Sequence, residues 1–272
     1  MPTTRRARGF TLTEIAVVLA IVGLLLGGMM LTFSVQVEQR NLAETQRRLD
    51  QAKELLLAFA IVNGRLPCPA WTANGDESPA GGGTCTNPYN GFLPGRAIGF
   101  SPVDELGYAL DAWNNRIRYA VATTVQTSTS CPGVAATNPP SALTTYWSPP
   151  FTSATATGVA NAQTFLKANG IACQPGGSDL VVCTQSQAGT SCALGQSVTN
   201  QNTVVAIVLS IGKNGSQGAA GANETENVDG DAVFVYRTPD PSTASGGEYD
   251  DLTAWIPVGL LYGRLTAAGV LP

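Results

Sequence analysis

The chain has no histidine and no Cys-x-x-Cys pair, and only 12% of its 272 residues are charged. Without imidazole the commonest general base is missing, which excludes Ser-His-Asp and Cys-His hydrolysis. No GxSxG, P-loop or helix-opening GxGxxG string occurs either. An enzyme built on this chain would have to work through carboxylates or metal-bound water. The same two absences argue against zinc, which takes imidazole and closely spaced thiolates. Positive charge is scarce as well. The net charge is −4, and three of the 15 basic residues (Arg5, Arg6 and Arg8) lie in an acid-free stretch of eight. The remainder carries 15 − 3 = 12 basic against 19 acidic residues, or −7. So acidic a surface cannot displace phosphate counterions generally, so nucleic acid is disfavoured as a partner.

What is present divides sharply along the chain. Cys68, Cys85, Cys131, Cys173, Cys183 and Cys192 all lie beyond residue 65, in a region rich in glycine and proline. An even number of cysteines in such a setting points to disulfides made in an oxidising compartment. Cys68 and Cys85 enclose a Gly/Pro-rich loop containing Asp76 and Glu77, and are expected to pair with each other. The other four allow three connectivities, among which the sequence does not choose.

Residues 15–37 are 23 consecutive uncharged positions, and Ile15 to Leu26 is almost wholly aliphatic. That meets the roughly 20 residues a helix needs to cross a bilayer. The Arg-rich start is expected on the cytoplasmic side, with the bulk of the chain outside. A secretory signal peptide places its small residue after the apolar run; here Gly9 comes before it. Glu14 at the mouth of the span is costly unless it finds a partner. Thr11-Leu12-Thr13-Glu14 also fits a helix capping box, so capping and partner recognition are both open.

The string Arg8-Gly9-Phe10-Thr11-Leu12-Thr13-Glu14-Ile15, followed by the aliphatic run, resembles the prepilin leader of type IV pilins and type II secretion pseudopilins. The resemblance implies that a prepilin peptidase cuts between Gly9 and Phe10 and methylates the new amine of Phe10. It also implies that Glu14 pairs with the N-terminal amine of a neighbouring subunit during assembly. Many pilus-forming relatives carry a proline midway through this span, whereas here Leu31 stands at that place and no proline lies between residues 3 and 66. Gly23, Gly27 and Gly28 can weaken the helix instead, or serve as small faces for packing in lipid.

Beyond the span, Val35, Leu42, Leu49 and Leu56 recur every seven residues, with Ala52 and Phe59 widening the stripe. An Asn63-Gly64 stop precedes Pro67. One helix over 12–62, about 75 Å long, is expected, its second half backing onto a globular head. Expected boundaries are a leader at 1–9, a transmembrane and stalk helix at 10–64, and a head at 65–272 with a long Ser/Thr/Ala/Pro-rich loop near 123–165. Candidate strands are 117–122, 180–183, 203–211 and 232–237. Pro257 opens a short helix whose Leu260, Leu261 and Leu265 are expected on one face, stopped by Gly269. The fold class is therefore α+β, with a mainly antiparallel β head. Asp111-Ala112-Trp113-Asn114-Asn115-Arg116 resembles a D-x-W-G-N turn of pseudopilins, with asparagine where glycine is usual. Asparagine tolerates the left-handed backbone that such a turn requires.

The acidic loop 214–231 is the one place where site chemistry concentrates. Glu224, Glu226, Asn227, Asp229 and Asp231 crowd eight residues, and Glu226, Asn227, Asp229 and Asp231 with Asp250 and Asp251 downstream are the ligand set expected for calcium. An EF-hand is excluded, because its register would put Thr225 first and Tyr236 twelfth. Major pseudopilins bind calcium in a loop similarly placed after an S-x-G-x-x-G string, here Ser210-Ile211-Gly212-Lys213-Asn214-Gly215. A solvated acidic turn is the plain alternative.

The function expected is a structural, non-enzymatic subunit, a minor pilin or pseudopilin of a type IV pilus or type II secretion filament. Its implied partners are prepilin peptidase, other pilin-like subunits and the inner-membrane assembly machinery. The alternatives are a major or adhesive pilin, or a membrane-anchored extracytoplasmic metal-dependent hydrolase or binding domain using residues such as Asp229 and Asp231.

Overall fold

The computed structural model describes residues 10–63, 65–72, 74–82, 85–122, 179–200, 203–218, 221–240 and 247–269, without the side chains of 26–34, 216 and 217. Gly9 and the leader, Gly64, the 123–165 loop, Cys131 and Cys173 lie outside the described residues. The chain forms two compact units, residues 1–43 and 44–272. One helix, α1 (Leu12–Asn63), contributes to both.

In the first unit the described apolar side chains from Phe10 to Leu25 are all exposed. Among the described residues no helix is long and apolar enough to cross a membrane.

In the second unit, α1 buries Thr45, Leu49, Ala52, Leu56 and Ala60. Their spacing of four, three, four and four places them on one stripe of a 3.6-residue helix. Leu49 and Leu56 are fully buried, and each such leucine contributes about 1.5–3 kcal/mol by leaving water. Phe59 is only half-buried, while Arg65 lies 5.2 Å above its ring.

Four strands form an antiparallel sheet in the order β1 (Gly91–Phe92), β2 (Arg118–Val121), β4 (Val204–Ser210) and β6 (Leu252–Pro257). All seven residues of β4 are buried, as its unbroken Val-Val-Ala-Ile-Val-Leu run requires of a central strand covered on both faces. The strand β6 was not among those expected, since its polar Asp250-Asp251 lead-in masks a short alternating run. A second sheet pairs β3 (Val181–Cys183) with β5 (Val233–Val235) in parallel, the one parallel pairing among the described strands of a mainly antiparallel head. Short helices follow at α2 (Gly95–Ile98), α3 (Ala222–Glu226) and α4 (Val258–Ala267), with a 3-10 turn at Asn214–Gln217.

The α4 helix opens after Pro257 and its backbone turns left-handed at Gly269. Its buried face is Val258, Leu261, Tyr262 and Leu265, while Leu260 is exposed. This corrects the expected Leu260 face: Leu261 and Leu265, four apart, define the stripe, and Leu260 is rotated about 100° from Leu261.

The turn at 111–116 ties α1 to the sheet. Asp111 is fully buried, and its carboxylate accepts from Ser210 Oγ (2.6 Å), Asn115 N (2.8 Å) and Trp113 N (2.9 Å). On the helix side, Thr45 Oγ1 accepts from Ala112 N and Arg48 donates to the carbonyls of Leu110 and Asp111. Asn114 sits at φ +66°, the left-handed position that glycine would otherwise fill.

Two disulfides are present among the described residues, Cys68–Cys85 and Cys183–Cys192. The first adjoins a buried ion pair. Arg65 donates both terminal nitrogens to the Glu77 carboxylate at 2.6 Å. The second staples β3 to the loop that follows it.

Candidate functional site

Three places carry the residues singled out by sequence, and each is built differently. At the start of α1, Phe10 is exposed and Thr11 and Glu14 form a reciprocal cap. Glu14 Oε2 accepts from Thr11 N and Thr11 Oγ1, both at 2.9 Å, while Thr11 Oγ1 accepts from Glu14 N at 3.3 Å. These bonds occupy two helix-end amides that have no partner within the helix. Within one chain, then, Glu14 serves as a capping residue.

The acidic residues do not gather into one set. Glu224, Asp250 and Asp251 form one group and Glu226, Asp229 and Asp231 another, the carboxylate oxygens within each lying within 4.8 Å of one another. The reason is helical geometry. In α3, Glu224 and Glu226 are two positions apart, about 200° around the axis, so they face opposite ways. Glu224 therefore joins Asp250 and Asp251, although the expected ligand set omitted it. A short helix over Ala222–Glu226 was the missing signal.

Asn227 adjoins the buried group through Asp251 and carries its amide oxygen to β5. It is buried, its Oδ1 accepts from Val235 N at 2.7 Å, and its Nδ2 donates to Asp251 Oδ2 at 2.7 Å and to Val235 O at 3.3 Å. The amide thus pairs with the end of β5 much as a strand backbone would.

The Glu224 group is the more enclosed. Glu224 and Asp251 are buried and Asp250 is partly so. Glu224 Oε1 accepts from Asp250 N (3.0 Å) and Asn214 Nδ2 (3.1 Å). Asp250 Oδ2 accepts from Lys213 N (2.8 Å) and Asn214 N (3.1 Å), whereas its Oδ1 is buried with no hydrogen-bond partner among the described residues. Burial, then the neighbouring carboxylates, pushes Asp251 up to about 8 and Asp250 up to about 6. Gly212 makes this approach possible. Its φ is +61°, and a Cβ there would lie 2.2 Å from Asp250 Oδ1. Gly215 is similarly held, since its Cβ would meet Ile211 Cγ1 at 2.4 Å. The two glycines of the Ser210–Gly215 string are thus explained by close backbone approach.

In the second group Asp229 and Asp231 are exposed. Asp229 Oδ1 accepts from Asp231 N, Asp231 Oδ1 from Val233 N, and Glu226 Oε1 from Gln187 N. Burial raises Glu226 and Asp231, and the charge on Asp229 adds to both shifts. This is a hydrogen-bonded acidic turn.

Either group could hold a metal ion, and the donors suit a hard one. All are carboxylate oxygens, and Asp250 Oδ1 has a lone pair buried without a hydrogen bond. The buried group, Glu224 with Asp250 and Asp251, is the better fit.

Comparison with curated proteins and with solved structures finds no significant match to this chain. The N-terminal segment, in contrast, has a clear counterpart. Residues 4–30, which include Gly9, Phe10 and the Thr11–Glu14 cap, match the prokaryotic N-terminal methylation motif, the prepilin-type cleavage and methylation segment of type IV pilin-like proteins.

Proposed function

We propose that this chain is a structural subunit, a minor pilin or pseudopilin, of a type IV pilus or type II secretion filament. The observation that carries the reading is the methylation motif at residues 4–30. In this reading prepilin peptidase cuts between Gly9 and Phe10 and methylates the new amine of Phe10. The uncharged run at 15–37 then holds the subunit in the bacterial inner membrane, with the head outside. Filament assembly with other pilin-like subunits, driven by the inner-membrane machinery, withdraws it. Glu14 exchanges its cap on Thr11 for the amine of a neighbouring Phe10, an attraction strengthened where water is excluded. Disulfides in the head are consistent with an oxidising extracytoplasmic compartment.

The test is mass spectrometry of the membrane-extracted protein from cells that contain a prepilin peptidase. The expected mature chain has 272 − 9 = 263 residues and begins with N-methylated Phe10. Glu14→Ala should leave cleavage intact and abolish incorporation into filaments. An unprocessed Arg-rich start refutes the reading, and normal incorporation of Glu14→Ala returns that residue to capping alone.

A second element of the proposal is calcium at Glu224, Asp250 and Asp251, favoured by the orphaned oxygen of Asp250. A bound cation would neutralise mutual repulsion and tie the 212–214 turn to the segment that leads into β6. It would act by holding the loop, and takes no part in a reaction.

A further inference from the structure

The buried acidic group has a cationic neighbour, Arg118. A cavity of about 80 Å³ lies beside the group, and Glu224, Asp251, Asn214 and Arg118 all line it. Arg118 is the first residue of β2, and its guanidinium is held on two sides. It stacks 5.3 Å above the Phe92 ring, and it donates through one terminal nitrogen to Asn90 Oδ1. Asn90 in turn donates to Val228 O at 2.8 Å, linking the arginine to the acidic loop itself. The Arg118 Nε is buried with no hydrogen-bond partner among the described residues. A donor left in that state costs free energy. The groups facing the cavity are two carboxylates, one guanidinium and one amide, with Asp250 behind them in contact with Glu224.

We infer that Arg118 is the resident counter-charge of the Glu224–Asp251 pair, and that it sets how strongly the head depends on an added divalent cation. Among the described residues that line the cavity one guanidinium faces the carboxyl groups, and a divalent cation, which binds their ionised forms, still has a place. The guanidinium repels that cation across the same cavity, which keeps the affinity low. The inference about cation dependence rests on the calcium reading above. The counter-charge role does not, because it concerns only residues of this chain.

The experiment is a double-substitution cycle on the full chain in detergent micelles, followed by thermal melting in chelator and then across a calcium titration. Arg118→Gln is expected to lower the melting temperature in chelator by several degrees. In the Asp251→Asn background the same substitution is expected to cost less than half as much, since one of the two buried carboxyl groups that face Arg118 is gone. Calcium is expected to shift Arg118→Gln at a concentration about tenfold lower than it shifts the unsubstituted chain. Equal cost in both backgrounds overturns the counter-charge role, whatever calcium does. Coupling between the two residues with no calcium shift in any variant refutes the calcium reading and leaves the counter-charge role standing. If Arg118→Gln alone does not fold, the double variant decides. It folds if an uncompensated carboxylate was the cause, and failure of both shows that Arg118 serves packing only, which overturns the inference.

Discussion

Replacing Glu77 by glutamine removes one charge and almost no volume, yet it should cost this head much of its stability. The carboxylate accepts from both terminal nitrogens of Arg65 at 2.6 Å, from Gly81 N at 3.1 Å and from Cys68 N at 3.2 Å. The Arg65 side chain is 8% exposed and that of Glu77 is 12% exposed, so water cannot replace a lost partner. A glutamine has a single acceptor oxygen, and its amide nitrogen would face donors. Breaking a buried pair by removing one partner typically costs about 3–5 kcal/mol, because the remaining charge is left uncompensated. At the lower figure the melting temperature of a chain this size falls by about 6–12 °C. The assay is thermal unfolding of the full chain in detergent with both disulfides intact, monitored by near-ultraviolet circular dichroism. The double variant Arg65→Met, Glu77→Leu should recover a large part of the loss, because no bare charge remains. A Glu77→Gln chain melting within about 2 °C of the parent would refute the reasoning, since it would place the pair in solvent contact.

Two other expectations follow from the same structure. Cys68–Cys85 and Cys183–Cys192 account for four of six cysteines, so non-reducing peptide mapping of the exported chain should find Cys131 linked to Cys173, and free thiols at both would contradict full oxidation. Asp251 is pushed up to about 8 when folded, against about 3.9 in an unfolded chain, so its contribution is fully present below about pH 4 and is lost as pH rises through 8. In chelator, stability should therefore fall between pH 5 and pH 8, and Asp251→Asn should flatten that slope; an unchanged slope would remove Asp251 as its source.

Much of the chain was legible from local pattern. The segment around Gly9, Phe10 and Glu14 is a linear motif, and a linear motif keeps its meaning without a fold. Leu49, Ala52 and Leu56 read correctly as a buried stripe because helix periodicity is a property of the chain itself. Leu180–Cys183 and Thr203–Ile211 contain β3 and β4, since apolar β-branched runs favour buried strands wherever they land.

What the tertiary structure alone decided is which distant residues meet. The acidic run at 224–231 reads as one oxygen-rich set, but a single turn of helix turns Glu224 toward Asp250 and Asp251 and leaves Glu226 with Asp229 and Asp231. Asn227 looks like a ligand by composition and is instead committed to the end of β5, because a buried amide must satisfy its own hydrogen bonds. The parallel β3–β5 pair and the approach of Arg118 to Asp251 depend on strands more than 50 positions apart in sequence. Composition and spacing set helix periodicity, disulfide chemistry and the processing motif, since each acts over a few residues. Burial, which raises Asp251 and leaves Asp250 Oδ1 without a partner among the described residues, arises only when the 212–214 turn, Glu224, Asn227 and Arg118 come together around them.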